Sequence, residues 1–160
     1  MHFNFYALIA AALSTLVVGF IWYNPKVFGN IWMRESGMTE EKARGANMAL
    51  TFGMTVVYGF LIAFVLQAFV IHQVGAYSAA FDIKGVDPSV LDNYMQAYGQ
   101  TYRTFKHGML HGFMAGLFFA LPVVGTGALF ERRSWKYTLV SGGYWVVCCM
   151  LMGGIVCAWQ

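Results

Sequence analysis

Hydrophobic and polar positions separate along this chain into long uninterrupted blocks. Four apolar runs, at 5–22, 48–71, 108–130 and 137–159, contain no Asp, Glu, Lys or Arg. The hydrocarbon core of a bilayer is about 30 Å thick, which a helix crosses in roughly 20 residues. Each run has that length and is apolar on every side, the pattern of a helix surrounded by lipid and other helices. The polar stretches between them predict the connections. Pro25 should end the first helix near Asn24, and "NPKVFGNIW" reads as a turn and a short interfacial segment. Thr39 is a candidate N-cap with Glu40 and Glu41 in the first turn, and that helix is predicted to run on into the second span. In the long second connection, Asp87 and Pro88 read as N-cap and first helical residue. Val90, Leu91, Tyr94, Met95, Tyr98, Tyr102 and Phe105 follow at helical spacing. They predict an amphipathic helix over 88–106 at the outer surface, either lying on the membrane or continuing upward from the third span, with Tyr94, Tyr98 and Tyr102 as a ladder. "ERRSWK" is so short that the last two spans must form a hairpin, with Glu131 beside a pairing Arg. The expected fold is an all-α integral membrane protein: four transmembrane helices in an antiparallel bundle plus that outer amphipathic helix. Residues 1–160 form a single transmembrane domain.

Charge adds orientation. Seven of the ten basic residues lie in the first and third connections: Lys26, Arg34, Lys42, Arg44, Arg132, Arg133 and Lys136. Lys84, Arg103 and Lys106 are in the second. Basic loops stay cytoplasmic, so both termini are expected outside the cytoplasm, in a bacterial inner membrane. The first run has no Lys or Arg before it and no clear cleavage site after it, so it reads as a retained helix. Trp22, Trp135, Arg132, Arg133 and Lys136 are expected as interfacial anchors. Only 11% of residues are charged and the net charge is +3. This favours the lipid bilayer as partner and excludes nucleic acid. The three cysteines, Cys148, Cys149 and Cys157, all fall in the last run and read as packing residues.

Several short motifs together resemble a known bacterial family. They are "WYNP" (22–25), "FGNIW" (28–32), "MTEE" (38–41), "LFERRSWK" (129–136), "GGYW" (142–145), "MGG" (152–154) and the final "AW" (158–159). In this order they resemble the family called domain of unknown function 1761. The resemblance implies a small four-helix membrane protein and no established activity, so it carries over no catalytic residue. The long second connection is not among the matching pieces.

Two further features bear on function. Gly108, Gly112 and Gly116 form a stripe on one face of the third span, as do Ala11, Thr15 and Gly19 on the first and Gly59 with Ala63 on the second. Within lipid, close backbone approach drives helices together, so these faces predict a tight bundle or a homo-oligomer. Pro122, Gly125 and Gly127 predict a helix break in the third span, with a carbonyl freed near Phe118. The histidines are the candidate chemistry. His107 and His111 share a helix face, His72 ends the second span, and His2 precedes the first. An even number of crossings brings all four to one membrane level. Imidazole ligates metal ions and haem iron, and His72, His107 and His111 are the candidate ligands. No cofactor is dictated by the spacing alone, since the pair lacks the Glu of a metalloprotease motif. Two function classes follow: a non-enzymatic oligomer passing or sensing a small solute or ion, and a metal- or haem-binding membrane protein. No catalytic residue is predicted.

Overall fold

The computed structural model describes residues 4–80, 87 and 89–159, and among these the regular structure is entirely helical. His2, Asp82, Lys84 and Pro88 lie outside the described residues. Four helical stretches are long and apolar enough to cross a membrane: Phe5–Trp22, Met48–Val70, Phe105–Phe130 and Trp135–Ala158.

Helix α1 (Phe5–Trp22) starts at Asn4, whose side chain accepts from the Ala7 N–H at 3.1 Å. The turn after it is closed by Asn24, whose Oδ1 accepts from the Lys26 N–H at 2.9 Å. Helix α2 (Gly29–Ser36) begins where a Cβ would collide with the Tyr23 carbonyl, so only glycine admits the chain there. It ends at Gly37, whose φ of 68° is the left-handed conformation of a C-terminal stop. Helix α3 (Glu40–Arg44) has Thr39 as N-cap, as predicted. It does not run on into the second span: it stops at Arg44, and Asn47 caps a new helix, α4 (Met48–Val70), by accepting from the Leu50 N–H. Two side-chain caps eight residues apart satisfy two separate sets of free N–H groups, which one continuous helix would not need.

The second connection departs most from expectation. Ile71 is extended, and helix α5 (His72–Ala80) follows at once. Asp87 accepts from the Ser89 N–H at 2.9 Å, and helix α6 (Ser89–Tyr98) runs from there. That N–H holds the Asp87 carboxyl below the usual carboxylate range. The amphipathic helix therefore ends at Tyr98 instead of reaching residue 106. Residues 99–104 form a tight turn in which Tyr102 has a φ of 64°. Thr104 then caps helix α7 (Phe105–Ala115) by accepting from the His107 N–H.

The third long stretch is not broken at Pro122. It passes from α7 through a π-helical turn, Gly116–Ala120, into helix α8 (Leu121–Phe130). The Leu121 N–H reaches back to the Gly116 carbonyl, so the wider turn absorbs the irregularity one turn ahead of the proline. Ser134 caps the last helix, α9 (Trp135–Ala158).

Helix α9 is the centre. Its apolar window is 56% buried, against 11% for Phe105–Phe130. It packs on α1, α2, α4, α7 and α8. The glycine stripe is used here. A Cβ on Gly108 would meet the Gly153 carbonyl, one on Gly112 the Cys149 carbonyl, and one on Gly116 the Val146 Cα at 2.6 Å. Residue numbers rise on α7 as they fall on α9. Ala11, Thr15 and Ala63 are fully buried, and Gly59 would crowd Ala12 at 3.3 Å. These small-residue faces are thus occupied within one subunit, and any assembly of subunits has to use other surfaces. Leu8, Leu66, Val70, Cys148, Met152, Val156 and Cys157 fill the core around them. Outward, large apolar side chains such as Phe20 and Phe130 are 81% and 87% exposed.

Candidate metal-binding site

His72, His107 and His111 converge beside the turn at 99–104. One ligand nitrogen from each lies within 4.8 Å of the others. His107 Nε2 and His72 Nε2 are 2.9 Å apart, a distance at which one ring donates and the other accepts. The ring centroids are 4.5 Å apart for His107 and His111 and 5.1 Å for His72 and His111.

Each imidazole is placed by a local feature of the chain. The extended Ile71 stops α4 and makes His72 the first residue of α5. The Thr104 cap fixes where α7 begins, and spacing by four then puts His107 and His111 on one face. Tyr102 forms a wall, stacked on His107 at 4.9 Å and edge-on to His72 at 5.8 Å. Its left-handed backbone is uncommon for a bulky residue. The predicted Tyr ladder therefore stops after Tyr94 and Tyr98, whose rings are 5.2 Å apart, and the third tyrosine joins the histidines.

Three residues outside the sequence-based candidates hold that turn in place. Gln73 Nε2 donates to the Tyr98 and Thr101 carbonyls at 2.7 and 3.0 Å. Arg103 Nε donates to the Cys157 carbonyl at 2.7 Å, tying the turn to the end of α9. The Cys157 thiol lies 3.4 Å from the carbonyls of both Val70 and Tyr102, joining α4, the turn and α9 at one point. Buried Gln73 carried one sequence signal, a polar amide directly after an apolar run. Cys157 read in the sequence only as a packing residue near the end of the last apolar run.

The other predicted residues are dispersed. Trp22 turns inward: its Nε1 donates to the Val140 carbonyl at 3.0 Å and its ring meets Phe28 at 4.5 Å. Trp135 is exposed, with the Lys136 ammonium over its ring. Arg133 donates to the Ser36 carbonyl and pairs with Glu131, while Arg132 takes a left-handed φ of 54° in the tight turn. Pro122, Gly125 and Gly127 lie in α8, at the end of the long helix away from the histidines, and no candidate ligand group forms around them among the described residues.

Metal–imidazole bonds of about 2.0–2.1 Å, set 90–110° apart, separate ligand nitrogens by about 2.9–3.4 Å. The His72–His107 pair already has that separation, and His111 reaches it by a side-chain adjustment. Haem fits less well. Two axial imidazoles stand about 4 Å apart, at twice the metal–nitrogen bond, with a macrocycle between them. Among the described residues no carboxylate or thiolate joins the grouping. Three neutral nitrogen donors suit zinc, copper and nickel over calcium or magnesium.

The sequence profile of the family described as "Protein of unknown function (DUF1761)" matches residues 6–157. The chain belongs to that family. No curated protein and no solved structure matches it. The match reaches into all four long helices and includes His72, His107 and His111.

Proposed function

We propose that this DUF1761 protein is a multi-pass inner-membrane protein, an antiparallel four-span bundle with both termini outside the cytoplasm. In this reading it binds one late first-row divalent metal ion at its outer membrane level. The observation that carries the proposal is the convergence of His72 of α5 with His107 and His111 of α7, whose ligand nitrogens lie within 4.8 Å of one another. Ionisable groups at membrane depth are costly unless paired or used. Three imidazoles leave a fourth position open, as in metal sites that act on or sense a ligand.

Equilibrium dialysis of the purified protein against zinc tests this. About one zinc per chain is expected in the wild type, and none in a His107→Ala/His111→Ala variant that keeps its helical content. Wild-type protein without stoichiometric metal overturns the proposal. Bound metal also stabilises the fold it binds, by about 2.7 kcal/mol at a concentration 100-fold above Kd, so chelation should lower Tm in the wild type alone. The non-enzymatic reading, a homo-oligomer passing or sensing a small solute or ion, needs a path between subunits. Because the glycine faces are filled within the subunit, that path would run along the exposed apolar faces.

A further inference from the structure

An apolar groove of about 620 Å³ runs along the outside of the molecule between α4 and the α7–α8 helix, with Trp145 and Cys149 of α9 at its floor. Its volume is that of a small-molecule site. Its position relative to the histidines follows from helical spacing. On α7, His107, His111 and Ala115 succeed one another by four residues, and His72, whose Nε2 is 2.9 Å from that of His107, opens α5 three residues after Phe69 of α4. Ala115, Phe119, Val65 and Phe69 line the groove. Ala115 therefore lies one turn from His111 on the same face of α7, and Phe69 lies three residues before His72, so the histidine trio is adjacent to one end of the groove.

Two observations define what fits. The α4 wall runs from Leu61 to Phe69, which at about 1.5 Å per residue is about 12 Å, close to the depth of one leaflet. That length and apolar lining suit a hydrocarbon chain lying along the membrane normal. Three neutral imidazoles would leave a divalent ion's charge uncompensated, and among the described residues no carboxylate joins the cluster. The open position therefore favours an anionic oxygen donor.

We propose that groove and trio form one site for a membrane amphiphile, with one hydrocarbon chain in the groove and an anionic oxygen head on the metal ion. This rests on the metal reading above. A fatty acid and an anionic phospholipid share that chemistry. The test uses zinc-loaded protein in detergent micelles, with stearic acid and phosphatidylglycerol each carrying a nitroxide on the chain. Electron paramagnetic resonance should show a motionally restricted component in the wild type, and the tighter of the two probes identifies the source. Ala120→Phe fills the groove without touching an imidazole. It should weaken probe binding at least tenfold while leaving zinc affinity unchanged. Val65→Trp, on the opposite wall, should do the same and serves if the first variant does not fold. Removing zinc with a chelator should also weaken the probe at least tenfold.

Zinc binding without a restricted component overturns this inference and leaves the metal reading standing. So does a probe affinity that ignores the groove-filling variants or the chelator. A wild-type dimer that Ala120→Phe dissociates, with no probe bound, assigns the groove to a second copy and likewise overturns it. Wild-type protein that binds no zinc overturns both.

Discussion

At the scale of single residues, contacts between backbones decide what this chain tolerates. Gly112 sits against the Cys149 carbonyl, whereas Gly127 has nothing within 4 Å of where a Cβ would stand. Gly112→Ala should therefore destabilise the protein by about 1–3 kcal/mol, the usual cost of forcing atoms into a packed contact. Gly127→Ala should be neutral or slightly stabilising, because alanine is the better helix former. Thermal unfolding of both variants in detergent checks this pair, and equal Tm values would remove the glycine argument. Tyr144 donates from its hydroxyl to the Thr15 carbonyl at 3.0 Å across the core. Interhelical hydrogen bonds in membrane proteins average about 0.6 kcal/mol, so Tyr144→Phe should lower stability by about that much in the same assay. The stripe of Gly108, Gly112 and Gly116 was legible from spacing, but its partner was not. Small-residue spacing shows that a backbone comes close without showing whether it belongs to the same subunit. His107 and His111 were likewise legible as a pair, and His72 joined them by counting spans. Tyr102 was hidden, because helical periodicity passes straight through it while the chain takes a left-handed step there.

At the scale of elements, the long apolar runs marked the helices well and their polar neighbours marked the caps. Where expectation failed, the chain had made an extra stop. Ile71 separates α4 from α5, and Gly45 to Asn47 separate α3 from α4. At the α3–α4 boundary the exposed Asn47 caps the new helix locally, whereas tertiary contacts hold the start of α5. The Gln73 amide holding the Tyr98 and Thr101 carbonyls is one such contact. The two ends of the chain's first and third connections are joined by another. Ser134 Oγ donates to Glu35 Oε2 at 2.6 Å, which links the α8–α9 turn to α2. That hydroxyl, together with the Arg34 guanidinium, holds the Glu35 carboxyl below its ordinary value of 4.5. A depressed carboxylate means the unfolded chain binds more protons, so the contribution is complete above the ordinary range and fades as pH falls through the folded value. Glu35→Gln should lower Tm at neutral pH, and the variant and wild-type curves should converge in acid. A difference independent of pH would show that the ionised carboxylate is not what joins these elements.

At the scale of the whole molecule, the account depends on four crossings that bring the histidines to one surface. The native cysteines are buried, so an introduced thiol can report alone. Asp92→Cys in α6 should react with a membrane-impermeant maleimide added outside cells, and Lys42→Cys in α3 only after permeabilisation. Labelling of both from outside would break the topology. The central claim, three imidazoles on one metal ion, is tested most directly by X-ray absorption at the zinc edge of the loaded protein. The account predicts three imidazole nitrogens at about 2.0–2.1 Å with a lighter oxygen donor completing the shell. A shell of oxygen donors alone, or one that is unchanged in the His107→Ala/His111→Ala variant, would contradict it.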